Sequence, residues 1–371
     1  MKTNRRDFGK LAVSSALATV LPPLAGAKRS LTASAAPAGQ GDLPLPHGIK
    51  IGVTTSPQAT EEELASFRQC GVEYASVWTT RENANYDFFL RIRRLFEAHD
   101  IQVYNIGIGD LHCDPTIVLQ LPGYQEKIER YKTYVTDLGR AGIPYTTYAH
   151  MANIKIRDYY QTSTATIRGG ASTRVFDMEV AKTRPLTHGR VYTEDEIWKS
   201  FTDFLRAVIP VAEKAGVHIG LHPDDPPVPS LGGVARVFRN FQGYQRAMEI
   251  ANSDHFGLCL CVGTWAEGGP ATDKKVCEMI RYFGPKGRIF KIHFRNVDSP
   301  LPQFRETFVD EGYLDMYEVM RILREVKFNG IVIPDHVPAG ANQAAITAFT
   351  LGYMKALRDR VNTELGKTVP A

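Results

Sequence analysis

Leu221-His222-Pro223-Asp224-Asp225-Pro226-Pro227, Cys259-Leu260-Cys261-Val262-Gly263, Lys291-Ile292-His293-Phe294-Arg295-Asn296 and Pro334-Asp335-His336 are four pieces of one pattern. Each closes a short apolar run and places a metal-competent side chain at its end. In a parallel barrel all strand C-termini open onto one face, so four such ends converge. Side chains alternate between the faces of a strand, and residues two apart point the same way. His218, Gly220 and His222 therefore share a face. So do Cys259 and Cys261, Lys291 and His293 with Arg295 just beyond, and Ile331, Ile333 and Asp335. If those faces point inward, His222, Cys261, His293 and Asp335 sit together at the mouth. Two imidazoles, a thiolate and a carboxylate suit a divalent first-row ion such as Mn, Fe, Co or Zn. Taken singly, each residue has a plainer reading: a satisfied core or surface histidine, a small buried thiol, a carboxylate capping the next helix. Cys259 is left in the role of a buried hydrophobe. The coincidence at four successive strand ends favours the metal.

Working outward, the chain alternates strand-like and helix-like segments. Strands are expected at 49–54, 73–78, 101–107, 145–150, 217–222, 256–261, 288–293 and 330–335. The helices between them carry local signals: capping boxes at Thr60/Glu63 and Thr193/Glu196, and Gly142 and Gly216 as stops. Eight such alternations predict a (β/α)8 barrel, a TIM barrel. An open doubly wound sheet is the alternative, but Thr54-Thr55-Ser56-Pro57 after the first strand is not a Gly-rich phosphate loop. The connections after strands four, five and seven are long. The polar stretch 151–192 has no clear period, and its aromatics and arginines favour a lid over the mouth rather than a disordered insertion.

Hydrophobic residues make up 43% and charged residues 23% of the 371, which provides a large soluble core. The formal net charge of +4 is modest, and Lys and Arg are scattered, so neither a nucleic-acid groove nor a membrane-binding face is indicated. Five cysteines, Cys70, Cys113, Cys259, Cys261 and Cys277, are odd in number and too sparse for a disulfide framework. The N-terminus reads Asn4-Arg5-Arg6-Asp7-Phe8-Gly9-Lys10, followed by an apolar run and then Ala25-Gly26-Ala27. This predicts a cleaved signal peptide over residues 1–27 that engages the twin-arginine export machinery, then a linker over 28–46. The 47–371 barrel then acts in the periplasm or beyond. The alternative, a single membrane anchor, is disfavoured by the short run and by Pro22 and Pro23.

The same motifs carry a resemblance. His222-Pro-Asp-Asp-Pro-Pro, Gly257-Leu-Cys-Leu-Cys261-Val-Gly, His293-Phe-Arg295-Asn-Val, Asp315-Met316 and Pro334-Asp335-His336 resemble mannonate dehydratase in order and spacing across 216–336. A looser likeness runs through 124–142 and 148–151. The resemblance implies a xylose-isomerase-like barrel and a hydro-lyase converting D-mannonate to 2-keto-3-deoxy-D-gluconate. It also implies metal ligands at His222, Cys261, His293 and Asp335, with Mn the expected ion and Fe or Co as alternatives. The family's acid–base pair falls on Asp335-His336. Arg295, suited to bidentate carboxylate binding, is expected in catalysis and substrate binding, together with Asp224 and His150 as substrate contacts. For Arg295 the plainer reading is an internal salt bridge with Glu306 or Asp310; for one of Asp224 and Asp225 it is turn formation. Two positions depart from the family pattern: the stretch Val337-Pro-Ala-Gly-Ala-Asn after His336 offers no tyrosine to match the family's, and Val309 stands where a histidine is expected. A metal-dependent sugar isomerase or epimerase and a non-catalytic sugar-acid-binding relative remain the alternative functions. Barrels of this type often pair, which allows a homo-oligomer.

Overall fold

In the computed structural model, which describes residues 47–152 and 156–366, eight parallel strands close into a barrel. They are β1 (Lys50–Thr55), β2 (Tyr74–Thr79), β3 (Gln102–Ile108), β4 (Tyr145–Tyr148), β5 (His218–Leu221), β6 (Phe256–Cys261), β7 (Ile289–His293) and β8 (Ile331–Ile333). Each pairs with its sequence neighbours, and β8 closes onto β1 through Lys50–Ile331 and Ile51–Val332. The eight expected strands are all present, and the predicted barrel is the observed one. The expected leader and linker lie outside the described residues. Among the described residues no helix is long and apolar enough to cross a membrane.

The main barrel helices are α1 (Glu61–Gln69), α2 (Tyr86–Glu97), α3 (Tyr124–Arg140), α4 (Glu194–Ala215), α5 (Phe241–Ala251), α6 (Val276–Phe283), α7 (Met316–Glu325) and α8 (Gln343–Gly366). Their ends follow from local chemistry. Thr60 and Thr193 each accept from the backbone N–H three residues on, while Glu63 and Glu196 reach back to the capping backbone. Gly216 ends α4 in the left-handed region at φ 66°, where a side chain would be strained. One departure from simple alternation matters inside the barrel. The register of β6 against β7 shifts between Leu258 and Cys259, so Leu258 faces Ile289 but Cys259 faces Lys291. The extra residue is Phe290, and this bulge lets both Phe290 and Lys291 reach the interior. Phe290 packs on Tyr145 and His218, and Lys291 Nζ lies 3.2 Å from Thr147 Oγ1.

The 151–192 stretch holds an antiparallel sheet in which Ser172–Asp177 lies between Ser163–Thr166 and Gln303–Arg305. It is thereby stitched to the loop that follows β7, above the mouth. Phe176 and Phe304, stacked at 5.5 Å, form its apolar underside with Val228, Leu231 and Val297.

Candidate metal centre and active site

β5, β6, β7 and β8 end beside one another, and His222, Cys261, His293 and Asp335 leave those ends toward a common point. One ligand atom from each lies within 4.8 Å of all the others. The surroundings set each donor. His222 Nδ1 donates to the Pro223 carbonyl at 2.7 Å, which leaves Nε2 with its lone pair outward. His293 Nε2 is 3.3 Å from Cys259 Sγ, while its buried Nδ1 has no hydrogen-bond partner and lies 3.2 Å from Asp335 Oδ1. Cys259 is thus the outer partner that orients His293, a role that reading it as a buried hydrophobe missed. Burial lowers the pKa of both imidazoles, His293 to about 3, and so keeps them in the neutral ligand form. Burial pushes the Cys261 thiol up, but Arg295 Nη2 at 3.4 Å and the Thr264 N–H at 3.4 Å, at the start of the helix Val262–Gly268, favour its thiolate. Asp335 is held well below the usual carboxylate range: His336, His293 and Arg295 outweigh its burial. A buried, unpartnered imidazole nitrogen facing a thiol and an ionised carboxylate fits a divalent metal site.

The donors open into a cavity of about 310 Å³ lined by Thr54, Trp78, His112, Thr147, Met151, Tyr160, His222, Asp225, His293, Asp335 and His336. A larger cleft of about 580 Å³ lies elsewhere, against α6 and the start of α7, and contains none of these residues. His336 is 45% exposed, and its Nδ1 sits 2.6 Å from Glu306 Oε1, while Nε2 lies 4.0 Å from Asp335 Oδ1. Partial loss of water around the ring lowers its pKa, but Asp335 and Glu306 carry it to about 9.

Three expected substrate contacts are placed differently. Arg295 does not line the cavity: its fully buried guanidinium meets Asp335 at 3.0 Å, Glu267 at 2.5 Å, Glu306 at 2.6 Å and Asp225 at 3.2 Å. The chain turns away after His293, and Arg295 lies against Gly263, where a β-carbon would be 2.6 Å from its Nε. The salt-bridge reading therefore holds for Glu306, whereas Asp310 pairs with Arg168. Asp224 turns from the cavity to accept from the Phe238 N–H at 2.7 Å, and Asp225 is the member of the pair that faces in. His150 is buried behind β4, with Tyr148 Oη at 2.7 Å from Nδ1 and Ser200 Oγ at 2.9 Å from Nε2, so both ring nitrogens are occupied.

Sequence reasoning also missed Arg174. From the sheet over the mouth it reaches Asp225 at 2.8 Å, Glu267 at 2.6 Å and Glu306 at 2.9 Å, and its Nη1 donates to the Tyr160 carbonyl at 3.1 Å. Two buried arginines thus bind a shared set of carboxylates beneath the cavity, which holds Glu306 against His336. Tyr160 enters the cavity from the same segment. The aromatics and arginines of 151–192 were the sequence signal, but nothing local says which of them turns inward.

A closed parallel barrel with His, Cys, His and Asp gathered at its C-terminal mouth defines an enzyme scaffold of the xylose-isomerase-like class with a candidate metal centre. The comparisons narrow this. Residues 177–360 match the family model described as D-mannonate dehydratase (UxuA). Mannonate dehydratase of Streptococcus pneumoniae is 27% identical over 274 residues, covering 67% of this chain and 72% of that protein. The Thermotoga neapolitana enzyme is 26% identical over 300 residues, covering 71% and 79%. The crystal structure of mannonate dehydratase from Streptococcus suis superposes with a TM-score of 0.77 at 22% identity, covering 87% of this chain and 99% of that one. The chain is thus similar to the mannonate dehydratases, metal-dependent hydro-lyases, most clearly over residues 177–360.

Proposed function

We propose that this protein dehydrates D-mannonate to 2-keto-3-deoxy-D-gluconate, with Mn2+ held by His222, Cys261, His293 and Asp335. The observation that carries the reading is the convergence of those four donor atoms within 4.8 Å, beside a cavity-facing histidine braced by a buried glutamate. When bound, the metal supplies Lewis-acid polarisation of the substrate carboxylate and its neighbouring hydroxyl. The chain's own residues do the rest. Loss of water requires removal of the proton beside the carboxylate and protonation of the adjacent hydroxyl as it leaves. His336 presents Nε2 to the cavity for such an exchange, and Glu306, itself fixed by Arg174 and Arg295, sets the ring's orientation. Asp225 faces the same space as a hydrogen-bond acceptor, and Tyr160 closes it from above. Tyr160 lines the cavity from a different loop than the one after His336, where no tyrosine matches the family pattern.

The mature protein, loaded with Mn2+ and given D-mannonate, should form a 2-keto-3-deoxy acid, with activity abolished by chelator and restored by Mn2+. A protein that holds stoichiometric metal but forms only a ketose or an epimer would replace the dehydratase reading with the isomerase one. Tight binding of the acid without any product would identify a non-catalytic relative. We further propose that residues 1–27 direct export through the twin-arginine machinery. Replacing Arg5 and Arg6 with lysine should retain the protein inside the cell; unchanged export would refute this.

A further inference from the structure

The cavity has a second wall that the metal chemistry does not use. Thr54, Trp78, His112 and Thr147 come from the ends of β1, from β2, from just beyond β3, and from β4. In the barrel order β3 lies across the mouth from β7, so this wall faces the donor quartet. An acid whose carboxylate end is held at the quartet must extend its hydroxylated tail toward it.

His112 is held on that wall from three directions. Its Nδ1 lies 3.0 Å from the Thr147 carbonyl, and since a carbonyl only accepts, Nδ1 carries the proton. Its own carbonyl accepts from the Ala149 N–H at 3.0 Å. Its ring stands edge-to-face with Trp78, centroids 4.9 Å apart. Trp78 in turn lies flat on Gly107, where a β-carbon would be 2.5 Å from the indole. That leaves Nε2 as an unprotonated nitrogen with no hydrogen-bond partner among the described residues, on a ring that lines the cavity. Burial holds the imidazole pKa at about 3, so the tautomer persists across the physiological range. An acceptor so placed recognises an O–H and gives nothing to a carbonyl or carboxylate oxygen.

We propose that His112 is a specificity-determining residue whose Nε2 accepts a hydrogen bond from a tail hydroxyl of the bound sugar acid, while Trp78 packs on the adjacent C–H face. The proposal rests on the reading of this cavity as a sugar-acid site and adds which end of the acid is read, and by what. It is tested on the Mn2+-loaded mature protein with D-mannonate and its 4-, 5- and 6-deoxy derivatives, by calorimetric Kd and by kcat/KM. One deoxy acid should bind roughly 10- to 100-fold more weakly than D-mannonate, the cost of leaving a built acceptor unpaired. In His112→Phe, which keeps the ring edge on Trp78, D-mannonate should weaken by that factor. The deoxy acid should bind as to the parent, so the discrimination collapses. His112→Gln, which keeps an acceptor, should restore part of it, and metal content should be unchanged in both. Equal binding of all the acids by the parent protein, discrimination retained in His112→Phe, or loss of metal from the variants would each overturn the proposal. Discrimination without a keto-deoxy product would sustain His112 and reject the dehydratase reading; turnover without discrimination would do the reverse. Failure to bind any of these acids would reject both.

Discussion

The two halves of the barrel mouth are built on opposite principles. At or just past the ends of strands β5 to β8 stand His222, Cys261, His293 and Asp335, backed by two buried arginines and the carboxylates Asp225, Glu267 and Glu306. Strands β1 to β4 contribute hydroxyls, an indole and a neutral imidazole, with the buried Lys291 amine 3.2 Å from Thr147 Oγ1. The matched family region, 177–360, contains all of the first half except Arg174 and none of β1 to β4. On the proposed function, the difference separates two tasks. Holding a divalent ion requires several charges in fixed positions, and the desolvation of each must be offset by another, so that half is a network. Recognising a flexible polyol requires separate neutral contacts that act one by one.

That contrast can be broken most sharply at the quartet. Cys261→Ala should lose bound metal and activity together, by at least about 10³-fold in kcat/KM, as metal analysis alongside turnover will reveal. A variant active without metal would dissolve the distinction. His336→Gln should retain stoichiometric metal yet drop kcat by roughly 10²- to 10⁴-fold, the usual contribution of a positioned proton-transfer group. Arg295→Met tests the network itself. Leaving Asp225, Glu267 and Glu306 with Arg174 alone, and Asp335 with only His293 and His336, should cost about 3–5 kcal/mol of unfolding free energy in denaturant titration. Stability within 1 kcal/mol of the parent would mean that the carboxylates do not depend on it. Cys259→Ala should weaken metal affinity about 10- to 100-fold by freeing the His293 ring, with the fold unchanged by circular dichroism. On the other wall, Thr54→Val should leave metal content untouched and raise KM by less than about 10-fold, the scale of a single neutral hydrogen bond. A loss of metal there would show that the two halves are coupled after all.

Much of the first half was legible in advance. The period of two on a strand decides which residues share a face, and a parallel barrel decides that all strand ends share a rim. Four donors at four successive ends therefore implied their own meeting. The helix ends were legible too, because a capping box such as Thr193 and Glu196 is satisfied within one turn of chain. Arg295, His150 and Asp224 were placed wrongly for a common reason. Each lies beyond a strand end, as His222 and Asp335 also do, but its side chain follows partners remote in sequence. Arg295 finds Asp225 seventy positions away, and His150 finds Ser200 fifty positions away. Arg174 meets Glu306 only because the sheet over the mouth pairs Ser172–Asp177 with Gln303–Arg305.

The sequence alone thus determined the barrel, the caps and the four donors, since these depend on short-range periodicity and on a rule common to all parallel barrels. The tertiary structure decided which nitrogen of each histidine is free, which carboxylate of the Asp224–Asp225 pair faces the cavity, and that Phe290 and Lys291 both enter the barrel through a bulge. Those outcomes depend on which polar groups the fold leaves without water, because a buried donor or acceptor takes the nearest partner available, however distant in sequence.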